Sequence, residues 1–285
     1  MYFKVSKKEF YNALSVASRA ISTFSPLPAF SGIKIDAKED CLILTGSDSD
    51  VSIQTKLTKS EECVLEIRDM GSIVIEAKYI LEIVRKIDAD EIEFEMIDGS
   101  LTKISGNTAE FRINGMRANE YPAIDFSKPK ECFALKEETL KKVILQTSFA
   151  TSDKETRPVL TGVNFHCEGN TLHCVATDSY RLAKKTIDIS ESLNFNITIP
   201  AKSLSEVVKT LEGEGEVEIA VNDKKAQFII HDTIVQTRLI DGVYPETSRL
   251  IPLQFDYELT IDSRDLLNAI DRASFIKNDG VSVIK

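Results

Sequence analysis

The sequence predicts an α+β fold made of repeated domains, each with two helices packed on antiparallel sheets. Three observations carry this expectation. The chain repeats itself at a period near 130 residues, which means whole domains and not solenoid units. Each repeat holds two stretches with helical spacing of apolar residues. The segments between them alternate and are punctuated by turn residues.

In the first repeat Phe10, Ala13, Leu14 and Ala17 follow the i, i+3, i+4, i+7 spacing of an amphipathic helix. FKVSKKEFYNALSVASRAI (3–21) falls without a gap over FALKEETLKKVILQTSFAT (133–151), so Leu140, Val143, Ile144 and Thr147 repeat that helix. The same offset sets Pro28 over Pro158, Gly32 over Gly162, and Asp48-Ser49 over Asp178-Ser179. A second helix follows in each repeat, along Ile80, Ile83, Val84 and Ile87, then along Leu204, Val207, Val208 and Leu211. Each is expected to start just after a strand ending in Ala-Lys (Ala77-Lys78, Ala201-Lys202). Hairpins are expected around Asp98-Gly99 and Gly169-Asn170. A third copy begins near the end, with Leu259, Leu266 and Ile270 over Phe133, Leu140 and Ile144.

Composition is that of a globular chain: 285 residues, 42% hydrophobic and 28% charged. The start, MYFKVSKKEF, is charged and lacks the apolar stretch of a signal peptide, and no apolar run approaches a membrane span. A cytoplasmic protein is expected. The five cysteines (Cys41, Cys63, Cys132, Cys167, Cys174) are scattered and read as small apolar residues. A net charge of -10 argues against a surface that coats nucleic acid everywhere, and it leaves room for one basic strip.

Such a strip is visible. Lys78 and Arg85 lie two helical turns apart on one face of the first repeat's second helix, and Lys202 and Lys209 recur 124 residues later. Glu82 and Glu206, at i+4 from the first Lys of each pair, are expected to neutralise the strip in part. Arg157 and Arg19 are weaker candidates for the same surface. A solvated helix face is the competing reading, and recurrence in both repeats weighs against it.

His166, Cys167, His173 and Cys174 have the residue types of a zinc site. Yet the offset of 130 sets Asp36, Ala37, Ile43 and Leu44 at the matching positions, so the hairpin forms without ligands, and no metal is expected. No nucleophile elbow, phosphate loop or H-E-x-x-H is present, so no catalytic residue and no cofactor are expected. Asp178 invites a general-base reading, but Asp48 stands in its place in the first repeat. A turn aspartate accepting backbone amide bonds fits both copies.

The segments RPVLTGVNF (157–165), ATDSYRLA (176–183) and TRLIDGVYPE (237–246), within the repeat, resemble the bacterial DNA polymerase III β subunits, the sliding clamps, along the whole chain. That resemblance implies the DNA-clamp fold, with clamp domain I over residues 1–126, domain II over 127–252 and an incomplete start of domain III over 253–285. It implies a processivity factor that encircles duplex DNA without sequence preference, its helices turned toward the duplex. Partners would be the polymerase III α subunit, the clamp loader and other proteins with clamp-binding motifs. Full-length clamps close head to tail into a homodimer ring through their first and third domains, so this chain is expected to be monomeric.

The resemblance also implies a groove for short linear motifs, carried over to Leu160, Thr177, Ser179, Tyr180, Arg181, Leu182, Pro245, Arg249 and Leu250. Tyr180 departs from the His that family members commonly have there, and Leu27 stands where the family often has Arg. In the first repeat Asp50 and Val51 occupy the places of Tyr180 and Arg181, so the pocket is expected once per chain. Two other functions compete. One is an adaptor that binds peptides without closing a ring. The other is a metal-dependent enzyme using the 166–174 hairpin.

Overall fold

The computed structural model describes residues 1–22, 27–252 and 254–274. They fall into two units, Met1–Tyr244 and Pro245–Lys285.

The first repeat runs β1 (Tyr2–Ser6), α1 (Lys7–Ser18), β2 (Gly32–Ala37), β3 (Cys41–Ser47), β4 (Val51–Thr58), β5 (Leu65–Asp69), β6 (Gly71–Glu76), α2 (Ala77–Lys86), β7 (Glu91–Asp98), β8 (Leu101–Gly106) and β9 (Ala109–Asn114). The four apolar residues that predicted α1 are its buried ones. In α2 the buried set is Ala77, Ile80 and Val84. The helix begins at Ala77, not after an Ala-Lys strand end, because the two residues already carry its first turn. The expected turn at Asp98-Gly99 is present, with Gly99 at φ +50° and Asp98 opposite Leu101.

After the short β10 (Met116–Arg117), the second repeat runs β11 (Glu131–Lys136), α3 (Glu137–Thr147), β12 (Gly162–Thr177), β13 (Leu182–Pro200), α4 (Ala201–Thr210), β14 (Glu216–Val221), β15 (Lys225–Ile230) and β16 (Thr233–Arg238). Here too Ala201-Lys202 opens the helix. The long β12 is itself folded back. The rings of His166 and His173 lie 6.5 Å apart, whereas seven residues of straight strand would separate them by about 23 Å. Gly169, at φ +62°, is where the chain reverses, as the sequence led us to expect.

The pairings then match between repeats. Residues 162–169 pair with 193–200, and 171–177 with 182–188, just as β2 pairs with β6 and β3 with β4. Gly32 sits opposite Glu76 and Gly162 opposite Pro200. A side chain at either glycine would collide with the neighbouring strand: its Cβ would lie 3.0 Å from the Ile75 carbonyl oxygen, or 2.6 Å from that of Ile199. This steric demand explains why glycine recurs at the offset of 130.

Two sheets have clear strand orders: β5-β1-β7-β8-β9, and a nine-stranded sheet β10-β6-β2-β3-β4-β16-β15-β14-β11. The second passes through both repeats, because β4 pairs with β16, setting Thr55 opposite Thr233 and Ile53 opposite Val235. The first core centres on Phe3, Phe10 and Phe94, with Phe3 stacked on Phe94 at 4.7 Å. The second includes Phe133, Phe165 and Phe228, and it also takes in Ala20, Val51 and Ile53 from the first repeat. Four cysteines are buried and Cys132 is half-buried.

In the second unit α5 (Ser263–Ser274) carries Leu266 and Ile270, at the positions the third copy predicts. Asp262 caps it, accepting from the amides of Arg264 at 2.9 Å and Asp265 at 3.1 Å. No helix of the described residues is long and apolar enough to cross a membrane.

Candidate functional site

The turn between β12 and β13 is built by Thr177 and Asp178. Asp178 Oδ1 accepts from the amides of Tyr180 and Arg181, both at 2.9 Å. Thr177 Oγ1 accepts from the Ser179 amide at 3.1 Å and donates to the Arg181 carbonyl at 2.7 Å. This closes a tight loop that places Ser179 at φ +78°. The first repeat builds the same loop. Asp48 Oδ1 accepts from Asp50 and Val51, Ser47 Oγ accepts from Ser49 and donates to the Val51 carbonyl, and Ser49 sits at φ +87°. The amides of Arg181 and Tyr180 hold the Asp178 carboxyl below the usual carboxylate range. Asp178 is turn scaffold, as its recurrence implied.

What differs is what the loop presents. Tyr180 is 97% exposed. Arg181 reaches back to Asp178 Oδ2 at 3.0 Å, and its guanidinium lies over the Phe149 ring at 5.9 Å. Leu182, half-buried, begins β13 opposite Thr177. Leu160 is buried in a separate 3-10 turn, Pro158–Thr161, and its carbonyl accepts from the Ser152 amide at 2.8 Å. Pro245, Arg249 and Leu250 belong to the second unit and are exposed there, the last two in the 3-10 turn Ser248–Leu250. Five of the nine predicted groove residues (Thr177, Ser179, Tyr180, Arg181, Leu182) are thus brought together in one loop.

Two residues beside that loop escaped sequence reasoning. Tyr244 accepts the Thr177 amide on its hydroxyl at 3.0 Å, and Phe149 stacks under Arg181. The Tyr-Pro pair at 244–245 repeats one at 121–122; Tyr244 is half-buried and Tyr121 buried, with its hydroxyl toward the Thr45 carbonyl at 3.5 Å. That repetition was the available signal. Phe149 gave none, since an exposed aromatic at a helix end reads as any surface residue.

The four basic residues expected to form the strip on α2 and α4, Lys78, Arg85, Lys202 and Lys209, are all exposed. Their carboxylate neighbours behave differently from the expected i+4 pairing with the first Lys. Glu82 bonds Arg85 at 2.7 Å and approaches Lys86 at 3.4 Å, and Glu206 bonds Lys209 at 2.7 Å. The reason is direction, since Glu N-terminal to a base is the better arrangement on a helix. The Lys78 ammonium instead lies over the Tyr79 ring at 5.6 Å. Arg157, exposed, precedes the 3-10 turn carrying Leu160. Arg19, at the end of α1, donates to the Lys209 carbonyl at 2.8 Å.

At the 166–174 hairpin, strand alternation sends the two thiols inward and the two imidazoles outward. Cys167 and Cys174 are fully buried, and burial pushes the Cys174 thiol up. His166 contacts Glu168 at 2.9 Å, and His173 contacts the Thr186 hydroxyl at 3.0 Å. The four groups do not converge. Among the described residues no cluster of three or more His, Cys, Asp or Glu is placed to hold a metal.

The family model "DNA polymerase III beta subunit, N-terminal domain" matches residues 1–125, and the one for the central domain matches residues 134–246. The chain is 38% identical over 285 residues to the beta sliding clamp of Bacillus subtilis, covering 98% of this chain and 75% of that protein. It is 37% identical over 287 residues to that of Halalkalibacterium halodurans, covering 98% and 76%. The crystal structure of the DNA polymerase sliding clamp from Bacillus subtilis superposes with a TM-score of 0.95 at 36% identity, over 99% of this chain and 75% of that one. The chain therefore spans about three quarters of the length of these relatives. The alternation of two helices with antiparallel strands, repeated through one continuous sheet, is the DNA-clamp fold. By these matches the chain belongs to the DNA polymerase III β subunit family, the bacterial β sliding clamps.

Proposed function

We propose that this chain works as a DNA sliding clamp, a non-catalytic processivity factor that holds the replicative polymerase to duplex DNA in the cytoplasm. One observation carries the reading beyond family membership. In a chain of net charge -10, exposed basic residues recur at matched places on α2 and α4, as Lys78 with Arg85 and Lys202 with Lys209. Contacts of this kind go to phosphates, carry no base preference and leave the protein free to slide. Arg157 extends the surface. Residues 1–126 and 127–252 act as domains I and II, and 253–285 belong to domain III.

The loop 177–182 and Leu160 serve the linear motifs of the polymerase α subunit, the clamp loader and other partners, and family resemblance assigns Pro245, Arg249 and Leu250 to the same task. Leu160, Leu182, Pro245 and Leu250 offer apolar surface, and Thr177, Ser179, Arg181 and Arg249 polar groups for a peptide backbone and a Gln side chain. Head-to-tail ring closure belongs to full-length clamps. The 285 residues taken by themselves are monomeric in this reading.

The test is a salt titration of duplex binding. Changing Lys202 and Lys209 together to Ala is expected to lower the slope of log affinity against log salt by about 1.8, at about 0.9 per phosphate contact. An unchanged slope removes α4 from the DNA surface. Motif-peptide binding by a chain that ignores duplex DNA would instead make it an adaptor.

A further inference from the structure

The end of α1 is embedded in the second repeat. Ala20 packs with Val51 and Ile53 into the second core, and Val16, half-buried, lies against the same cluster. Between these two residues Arg19 caps the helix, and its Nη1 donates to the Lys209 carbonyl at 2.8 Å. Lys209 stands in the last turn of α4, where carbonyls have no amide four residues on and carry the negative end of the helix dipole. A guanidinium there is held by charge as well as by geometry. The apolar wedge limits how α1 can move against the second core. The Arg19 bond fixes the last turn of α4, the turn from which the Lys209 side chain departs toward Glu206.

Comparison of the repeats shows that this bond is not general scaffold. At the offset of 130 the place of Arg19 is taken by Phe149 and that of Val51 by Arg181, and there the cation stacks over the ring. A phenylalanine side chain has no hydrogen-bond donor, so the second repeat carries no counterpart of the Arg19 guanidinium at that position.

We propose that Arg19 is a positioning residue for the phosphate-binding helix α4: it locks the last turn, and Lys209 with it, to the end of α1, so that the basic residues of the two repeats meet a duplex at one fixed spacing. The proposal rests on the DNA-facing reading of α4. It differs from a direct phosphate contact by Arg19, because the guanidinium acts through Lys209.

The experiment is a double-mutant cycle on the 285-residue chain with a fluorescent duplex at low salt. Arg19→Ala is expected to weaken binding roughly threefold to tenfold, the scale of one ordinary hydrogen bond lost at an exposed site. In the Lys209→Ala background the same change is expected to cost nothing further. Losses that multiply make Arg19 a phosphate contact and overturn the proposal. A second measurement needs no DNA: backbone amides at 208–211 are expected to exchange hydrogen several-fold faster in Arg19→Ala. Arg19→Lys, which can still donate to the carbonyl, is expected to restore much of the protection. Unchanged exchange in Arg19→Ala overturns the proposal whatever the titration shows. An unaltered chain that fails to bind any duplex defeats the DNA-facing reading instead, and exchange alone then decides whether Arg19 locks the turn.

Discussion

Lys7 opens α1, and Glu137, 130 positions later, opens α3. Both side chains tie the start of their repeat's first helix to the end of its second, by opposite chemistry. Lys7 Nζ donates to the Ile87 carbonyl at 2.5 Å, at the C-cap of α2. Glu137, fully buried, accepts from the Gly213 amide at 2.6 Å, just beyond α4. Its other oxygen lies 3.1 Å from His231 Nε2, without the alignment of a hydrogen bond. The contrast recurs at the 48–51 and 178–181 loops, where the bonded scaffold is shared and the residues facing outward differ. The duplicated parts that close backbone hydrogen bonds are thus held by geometry, while the charge that serves them adapts to whichever backbone group faces it.

The largest effect is expected from giving the second repeat the first repeat's residue. Glu137→Lys buries a cation against the Gly213 amide and should cost about 3 kcal/mol or more in urea unfolding, the scale of an uncompensated buried charge. A loss below about 1 kcal/mol would show that the two sites are interchangeable. Next come the paired glycines. Gly32→Ala and Gly162→Ala are each expected to cost roughly 1–3 kcal/mol through collision with the neighbouring strand, and to agree within a factor of two. Unequal costs would break the structural equivalence of the repeats.

A smaller effect is expected at the loop itself. Arg181→Val installs the first repeat's residue, and should weaken binding of a clamp-motif peptide roughly threefold while leaving thermal stability unchanged, as for a rim charge. Equal affinity in both forms would remove Arg181 from the groove. The subtlest test is acid unfolding of Asp178→Asn. The folded carboxyl titrates below its unfolded value near 3.9. Its stabilisation is therefore complete above that pH and is lost as the pH falls through the folded value. The acid limb of the stability profile should flatten in the variant, and an identical limb would separate Asp178 from the turn.

Much of this was legible in the sequence because it is local. Amphipathic spacing named the buried face of α1, and the recurrence of Asp48 at Asp178 predicted loop scaffold rather than catalysis. The offset also picked out Gly32 and Gly162 before any strand was seen. What stayed hidden depends on partners distant in the chain. Nothing in SIQT (52–55) or TIVQ (233–236) says that they pair, and that pairing turns two repeats into one sheet. The same holds for Arg19 with Lys209 and for Thr177 with Tyr244. Of the candidate groove, the loop could be foreseen as a unit, whereas the support of Arg181 by Phe149 could not.

The pairing of β4 with β16 has a consequence for how the chain is made. Thr55 and Thr233, whose hydroxyls bond at 2.9 Å, are 178 residues apart. At the roughly 5–20 residues per second of protein synthesis, β4 emerges on the order of ten seconds or more before its neighbour exists. Through that interval the first repeat carries an open strand edge bearing Val51 and Ile53, later buried in the second core. The newborn first repeat is thus at its most adhesive while the second is still being translated, and arrival of β16 ends that exposure.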